Sequence, residues 1–440
     1  MNDYCNKNIV IIGLGITGMS CINFFLSRGV IPRVMDTRLY PPEREKLPNF
    51  IECCLGSLNK EWLLYADMII VSPGMSMHPL LIKSARTGIE IISDIELFCR
   101  EARAPIIAIT GTNGKSTVSV LISEMARSCG LVTGVGGNIG LPALNLLQQS
   151  YQLYVLELSS FQLEATYSLH TRAATILNLS EDHRDYYFNK FYNYKMAKLR
   201  IYDYAEVCIF NAEEKNTKPI ILNSNQKSVS FGIHKGDYHL NFNNGNIWML
   251  VNGTKILNTA EMKLIGQHNY TNALAALAMA DVIGLSKTCS IQALKNFTGL
   301  PHCFQLVFKN KGISWINDSK ATNVCSTIAA LRVSNLLVRG MIHLLVGGNS
   351  KCADLKNLSS YLQDDRLQLY CFGRDRKKFA KLRPNPSILT NTMVEAMEDL
   401  AKKVKPGDLV LLSPACSSKD QFKDFAHRGR IFTQLAKILG

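Results

Sequence analysis

Long apolar runs are missing from this chain. No stretch of 18 or more apolar residues occurs in its 440 positions, so no membrane span is expected. The opening residues, Met1-Asn-Asp-Tyr-Cys-Asn, lack the basic segment and apolar core of a signal peptide, and none is expected. Cysteine occurs 13 times, an odd number, but never as C-x-x-C. The adjacent Cys53-Cys54 pair suits neither a disulfide framework nor a zinc knuckle. Reduced thiols in a cytoplasmic protein are therefore expected. RNA-binding aromatic motifs and zinc fingers are also lacking. The net charge of +14 comes from scattered lysines and arginines. Its densest cluster, Arg374–Arg383, reads as a helix with a solvated face, so no nucleic-acid partner is expected. The excess can still help attract polyphosphate substrates.

What is present is punctuated α/β sequence without repeats or low-complexity tracts. The length suggests about three domains. Strand-like runs at Asn8–Ile12, Pro32–Met35 and Met68–Val71 alternate with helical stretches, which predicts a small parallel-sheet domain over residues 1–93. A second domain, residues 94–299, is predicted from strands at Ile106–Ile109, Leu153–Leu156, Ala174–Asn178 and Val207–Asn211. It adds helices at Val118–Cys129 and Asn272–Ile283, and a hairpin about Asn244-Gly245. The break at Gly299-Leu-Pro-His302 predicts a linker. A third domain, residues 300–440, has strands at Ile313–Ile316, Ile342–Val346, Gln368–Phe372 and Leu409–Leu412. The expected class is α/β in three domains, the outer two Rossmann-like and the central one a P-loop ATPase-type parallel sheet.

Two loops carry phosphate chemistry. Gly13-x-Gly15-x-x-Gly18 follows a strand and opens a helix, so its backbone can approach a pyrophosphate at the helix N-terminus. Asp36 ends the next strand, where an acid would bond a ribose hydroxyl in an NAD enzyme. NAD and a uridine diphosphate conjugate offer this loop the same pyrophosphate, and both stay open on these residues. Further on, Thr110-Gly-Thr-Asn-Gly-Lys-Ser-Thr117 would cradle phosphates on its amides. Lys115 would reach the β/γ oxygens, and Ser116 or Thr117 would touch Mg²⁺. Ile109 stands where the ordinary loop has its first glycine.

Carboxylates and an imidazole come next at strand ends, the ligand side of an open α/β sheet: Glu157 after one strand, Asp182-His183 after the next. Alone, each reads equally as a surface cap or a satisfied histidine. Together, downstream of the phosphate loop, they favour a Mg²⁺ site for ATP. Lys198, on a helix soon after, reads on its own as a surface lysine.

The T-G-T-N-G-K-S-T loop, together with the motifs downstream of it, resembles the Mur ligase and folylpolyglutamate synthetase superfamily. The resemblance runs nearly end to end, through Ile11–Thr17, Val34–Arg38, Ser72–Gly74, Gly136–Gly140, Leu156–Leu163, Gly266–Asn272, Trp315–Asn323 and Leu412–Cys416. It is nearest the branch of Mur ligases that adds D-glutamate, and implies an ATP-dependent amide ligase acting on UDP-N-acetylmuramoyl-L-alanine in peptidoglycan precursor synthesis. It turns the first loop from NAD to UDP: Gly15, Ile16, Thr17, Asp36, Thr37, Arg38 and Gly74 are implied contacts of the UDP-sugar, with Asn138 and His183 at its muramoyl-alanine end. The second loop, Gly111, Thr112, Asn113, Gly114, Lys115, Ser116 and Thr117, is implied to hold ATP, with Asn269, Asn272, Asp318 and Lys320. Lys115, His183 and Lys198 are implied to be catalytic. Ser116, Glu157, His183 and Lys198 are implied to serve Mg²⁺, the lysine as a carbamate. Thr322, Lys351, Ser418 and Phe425 are implied to bind D-glutamate. A cytoplasmic monomer is expected.

Two positions depart from the family pattern. Cys303 stands where the family usually has an arginine that helps hold nucleotide phosphate, and cysteine has no guanidinium fork. Lys419 replaces an apolar residue beside Ser418. Weaker ATP binding or slower turnover is the expectation from Cys303.

Overall fold

The computed structural model describes residues 4–73, 88–180, 186–187, 190–350, 354–383 and 387–440. The chain divides into two compact units. One comprises Met1–Leu179, Tyr192–Met262 and Asn269–Phe297; the other comprises Ser180–Phe191, Lys263–His268 and Thr298–Gly440.

The first unit holds two sheets. The smaller comprises β1 (Ile9–Ile12), β2 (Arg33–Asp36), β3 (Cys53–Leu55), β4 (Met68–Val71) and β5 (Glu90–Ser93), in the order β3-β2-β1-β4-β5. Every pairing is parallel. β1 reads IVII and β4 reads MIIV, and both are buried throughout. Such unbroken apolar strands are what a sheet covered on both faces requires.

The larger sheet comprises β6 (Ile106–Thr110), β7 (Thr133–Gly137), β8 (Leu153–Glu157), β9 (Ala173–Ile176), β10 (Val207–Asn211), β11 (Lys227–Phe231), β12 (Tyr238–Asn243), β13 (Asn246–Val251) and β14 (Thr254–Asn258). Its order is β14-β13-β12-β11-β10-β9-β6-β8-β7, antiparallel only at β12–β13–β14. The expected hairpin is there: Asn244 and Gly245 both have positive φ, 46° and 76°, the requirement of a tight two-residue turn.

β7 escaped the sequence reading because Thr133-Gly-Val-Gly-Gly137 has poor strand propensity. Its glycines answer to packing. A Cβ at Gly134 would strike the Tyr151 ring, and one at Gly136 would strike Leu146 and the Leu141 carbonyl. The helix expected from Val118 begins three residues earlier, spanning Lys115–Ser128, because left-handed Gly114 (φ 84°) ends the loop there.

The second unit holds β15 (Gln305–Asn310), β16 (Ile313–Asn317), β17 (Ile342–Gly347), β18 (Leu367–Phe372), β19 (Ser387–Leu389) and β20 (Leu409–Leu412), in the order β15-β16-β20-β17-β18-β19. Only β15–β16 is antiparallel. Apolar clusters cover both faces, one around Leu344, Leu369 and Phe379, the other around Trp315, Tyr370 and Phe432. The basic cluster at 374–383 forms the helix Arg376–Leu382, with Phe379 buried beneath exposed Lys377, Lys378 and Lys381. Among the described residues no helix is long and apolar enough to cross a membrane.

Within the first unit, Ser93 joins the two sheets. It ends β5, its N–H donates to the Ala165 carbonyl (2.8 Å), and its hydroxyl caps the helix Asp94–Glu101 through Glu96 N–H (3.1 Å). Next to it, Asp94 is 1% exposed, and neither carboxyl oxygen has a hydrogen-bond partner at good geometry. Burial pushes its carboxyl up from 3.8 to about 6, and Gln162 and the first-turn N–H groups offset only part of that. The unfolded chain ionises this group near pH 4 but the folded chain only near pH 6. The carboxylate therefore costs stability progressively as pH rises through that window, and by a constant amount above it. Asp94→Asn should raise the melting temperature relative to the parent, by up to about 3 kcal/mol in stability. The gain should grow between pH 4 and 6 and level off above; melting curves across that range that show no such growth would refute it.

Candidate active site

The second phosphate loop lies at the carboxyl end of β6, between the ends of β8 and β9. Gly111 takes φ 148°, which suits glycine, and a Cβ there would also crowd Leu177 and the Asn178 carbonyl, at 3.2–3.3 Å. The loop is pinned from β9: Thr112 N–H donates to the Asn178 carbonyl (2.9 Å). Asn113 N–H donates to Asn178 Oδ1 (2.8 Å), and Asn178 Nδ2 returns a bond to the Asn113 carbonyl (2.9 Å). Lys115 Nζ curls back onto the Gly111 and Thr112 carbonyls, at 3.0 and 2.9 Å. Asn272, 9% exposed on the helix Gln267–Val282, packs its carboxamide against Gly114, leaving no room for a Cβ. Asn269 lies half-buried one turn earlier on that helix.

Glu157 ends β8 beside this loop and is 2% exposed. Its two oxygens are shared: Ser116 Oγ donates to one (2.6 Å) and Asn138 Nδ2 to the other (2.8 Å). Lys198 is not the surface lysine that its sequence position alone suggested. It is 2% exposed, and Nζ donates to Thr110 Oγ1 (2.9 Å) and the Gly111 carbonyl (3.0 Å). The Tyr194 ring lies 5.0 Å from that nitrogen, and the Tyr194 hydroxyl meets Thr112 Oγ1 at 3.1 Å.

The first loop follows β1. A Cβ at Gly13 would strike Ser72, and one at Gly18 would strike the Gly13 carbonyl, so the helix Ile16–Leu26 can start hard against the strand. Its first turn carries no acid, which leaves the N-terminus open to an anion. Ile16 is 66% exposed at this mouth, with Thr37 and Arg38 exposed alongside. Asp36 faces inward. It accepts from Leu14 N–H (2.8 Å) and Arg38 N–H (2.8 Å), and from both sides of the Arg38 fork (2.8 and 2.6 Å). Burial opposes its ionised form, but the Arg38 fork and those N–H groups outweigh it and hold the carboxyl below its ordinary value. Asp36 therefore shapes the loop and orients Arg38.

In the second unit, Asp318 follows β16. It accepts from Phe304 N–H (3.0 Å) and Ser413 Oγ (2.8 Å). Burial pushes it up to about 7, against those two bonds and the Arg428 charge. Half-buried Lys320 holds Nζ 5.7 Å from the Phe425 ring. Ser418 is buried after β20, and Thr322 is half-buried. Half-buried Cys303 stands beside Phe304 in this same turn.

Sequence profiles match most of the chain. Residues 7–93 match the MurD-like N-terminal domain of Mur ligases, residues 109–280 the Mur ligase middle domain, and residues 303–416 the Mur ligase glutamate ligase domain. The chain belongs to the Mur ligase family. It is 59% identical over 441 residues, covering all of both chains, to the Escherichia coli K12 protein named UDP-N-acetylmuramoylalanine–D-glutamate ligase. It is 58% identical over the same span to the Yersinia pseudotuberculosis protein of that name. Among solved structures its fold is similar to Thermotoga maritima UDP-N-acetylmuramate-alanine ligase, with TM-score 0.62, 19% identity, and 99% and 100% of the two chains covered. It is also similar to the MurF ligase of that organism in complex with ADP, with TM-score 0.64, 16% identity and full coverage of both.

For a Mur ligase, the structure brings together Gly111–Thr117, Glu157, Asn138, Lys198 and Asn272 at one sheet edge of the first unit. Asp318, Lys320, Thr322, Ser418 and Phe425 belong to the second. Gly74, His183 and Lys351 lie outside the described residues, as does Asp182. The oxygen pair of Ser116 and Glu157 suits Mg²⁺, which takes one or two carboxylates and leaves its other positions to water and substrate phosphates. Asn178 was missed as a site residue; the strand expected over Ala174–Asn178 ends at Ile176, and Asn178 lies in the loop after it. An asparagine just past a strand next to a phosphate loop is the only signal it gave.

Gly114→Ala tests the loop. The left-handed φ disfavours alanine by about 1–2 kcal/mol, and the new methyl meets Asn272. Affinity for ADP should drop at least tenfold, with the far-UV spectrum unchanged. Unaltered ADP titration would refute this account of the loop.

Proposed function

We propose that this chain joins D-glutamate to UDP-N-acetylmuramoyl-L-alanine with ATP as the driving substrate, in the cytoplasm and as a monomer. The observation that carries the reading is the ligand-side cluster of Lys115, Ser116, Glu157 and Lys198, in a chain nearly 60% identical to proteins of that name. Residues 1–93 serve the UDP-sugar through Gly15, Ile16, Thr17, Asp36, Thr37, Arg38 and Gly74. Residues 94–299 serve ATP through Gly111–Thr117, Asn269 and Asn272. Residues 300–440 serve D-glutamate through Thr322, Lys351, Ser418 and Phe425, and the nucleotide through Asp318 and Lys320.

Two anions must meet: the terminal carboxylate of the UDP substrate and the γ-phosphate of ATP. Little covalent work falls to the protein, and catalysis is mainly positioning and charge compensation. Lys115 exchanges its loop carbonyls for β/γ oxygens. The loop amides, held by Asn178, bind the phosphate chain, and Asn138 orients the incoming carboxylate. Mg²⁺, held by Ser116, Glu157 and His183, would neutralise and template the phosphates when bound. Lys198, as a carbamate formed with CO₂, presents a carboxylate where an ammonium would repel the metal. Carboxylate attack on phosphorus gives an acyl phosphate and ADP. The amine of D-glutamate, anchored by Lys351 at its side-chain carboxylate, then attacks the acyl carbon. Phosphate departs from the tetrahedral intermediate, leaving the amide.

Phosphate release from ATP and Mg²⁺ should require both the UDP precursor and D-glutamate. Release with a different amino acid would move the chain to a sister ligase of the family. Release in neither case, with ADP still bound, would make it a nucleotide-binding protein.

Cys303 supplies no fork for phosphate, and a charged hydrogen bond of that kind contributes about 1.5 kcal/mol, roughly tenfold. Cys303→Arg should therefore lower the KM for ATP by up to about that factor, with little change in the KM for D-glutamate. An ATP KM no lower than the parent's would show that the cysteine costs the site nothing.

A further inference from the structure

Arg428 is 0% exposed, on the first turns of the helix Phe425–Leu439. Among the described residues no carboxylate bonds it. Its Nη1 and Nη2 donate to the Cys416 carbonyl (3.2 and 3.1 Å), Nη2 also to the Ser319 carbonyl (2.8 Å), and Nε to Ser319 Oγ (3.0 Å). Burial lowers its pKa to about 10, only partly offset by Cys416, Asp420 and Asp318. Ser319, also 0% exposed, donates its hydroxyl to the Phe425 carbonyl (2.7 Å) and its N–H to Asn317 Oδ1 (3.1 Å). Asn317 Nδ2 in turn reaches the Gly429 carbonyl (2.9 Å).

A buried cation held by carbonyls is a poor source of stability, since apolar residues of the same volume often serve as well or better. What the guanidinium does, and a methionine could not, is tie three segments together. The first is the turn Asn317–Lys320. The second is the loop after β20, where Ala415 sits at φ 57°, a conformation that must be held by its surroundings. The third is the start of the last helix.

We propose that Ser319 and Arg428 form a positioning hub that couples the nucleotide-binding turn at Asp318–Lys320 to the amino-acid-binding loop at Ser418–Phe425. This rests on the ligand roles proposed for those residues. Neither hub residue is among the ligand contacts proposed above. Ser319 cannot shift without releasing Phe425 and the Arg428 fork, and Cys416 cannot shift without releasing the same fork. By linkage, the influence of each site on the other is reciprocal.

The test compares the parent with Ser319→Ala and Arg428→Lys in the full chain. Steady-state phosphate release is measured against ATP, D-glutamate and the UDP precursor, alongside melting temperature and titration with fluorescent ADP. Each lost hydrogen bond is worth a few-fold, so Ser319→Ala should raise the KM for both ATP and D-glutamate by about 5- to 20-fold. The KM for the UDP precursor and kcat should stay within about twofold. Arg428→Lys keeps the charge but loses the fork, and should shift the same two constants in the same direction. The hub is overturned if neither KM moves, if only one of the two moves, or if all three rise together with a fall in melting temperature. If the parent shows no release dependent on D-glutamate, the ligase reading fails instead. The ADP titration still decides: unchanged ADP affinity in Ser319→Ala would overturn the hub.

Discussion

The candidate site of the first unit depends on one piece of strand pairing. β6 lies between β8 and β9, in parallel register, with Ile109 opposite Glu157 and Thr110 opposite Ile176. Parallel strands present all their carboxyl ends at one edge, so this register alone sets the phosphate loop, Glu157 and Asn178 side by side. A slip of one residue would turn Glu157 to the other face of the sheet and leave Ser116 without its partner. The full burial of β6, β8 and β9 makes such a slip costly.

Given that register, the polar groups constrain one another. Glu157 is nearly inaccessible to water, yet each of its oxygens receives a hydrogen bond, from Ser116 and from Asn138. A buried carboxylate left without such donors would be strongly destabilising. The same bonds hold the serine hydroxyl and the asparagine amide in fixed orientations before any ligand arrives. Lys115 and Lys198 both spend their ammonium protons on the carbonyls and hydroxyl of the loop. The loop is thus held in shape by its own side-chain contacts.

The second unit solves a similar problem with a different device. In the loops at its strand ends, side chains add to the backbone bonding: Asp318 accepts from Phe304 N–H and Ser413 Oγ, and Arg428 donates to the carbonyls of Cys416 and Ser319. Placement away from water lowers the pKa of Arg428 and raises that of Asp318, because burial disfavours the charged form of both.

The sequence by itself determined the fold class, the three sheets and the position of both phosphate loops, because those depend on local patterns. Apolar runs buried on both faces, glycines at strand–helix turns and an Asn-Gly hairpin each have a short-range physical cause. It also carried the family likeness, through motifs spread over the whole length. Edge strand β7 was out of reach, since its glycines make sense only against Tyr151 and Leu146. So was the inward turn of Asp36, which serves the loop through Leu14 and Arg38. The burial of Lys198, the clamp of Asn178 on the loop and the Ser319–Arg428 hub were decided by tertiary structure alone. Each joins residues tens of positions apart or more, and only folding determines which carbonyls water leaves for them.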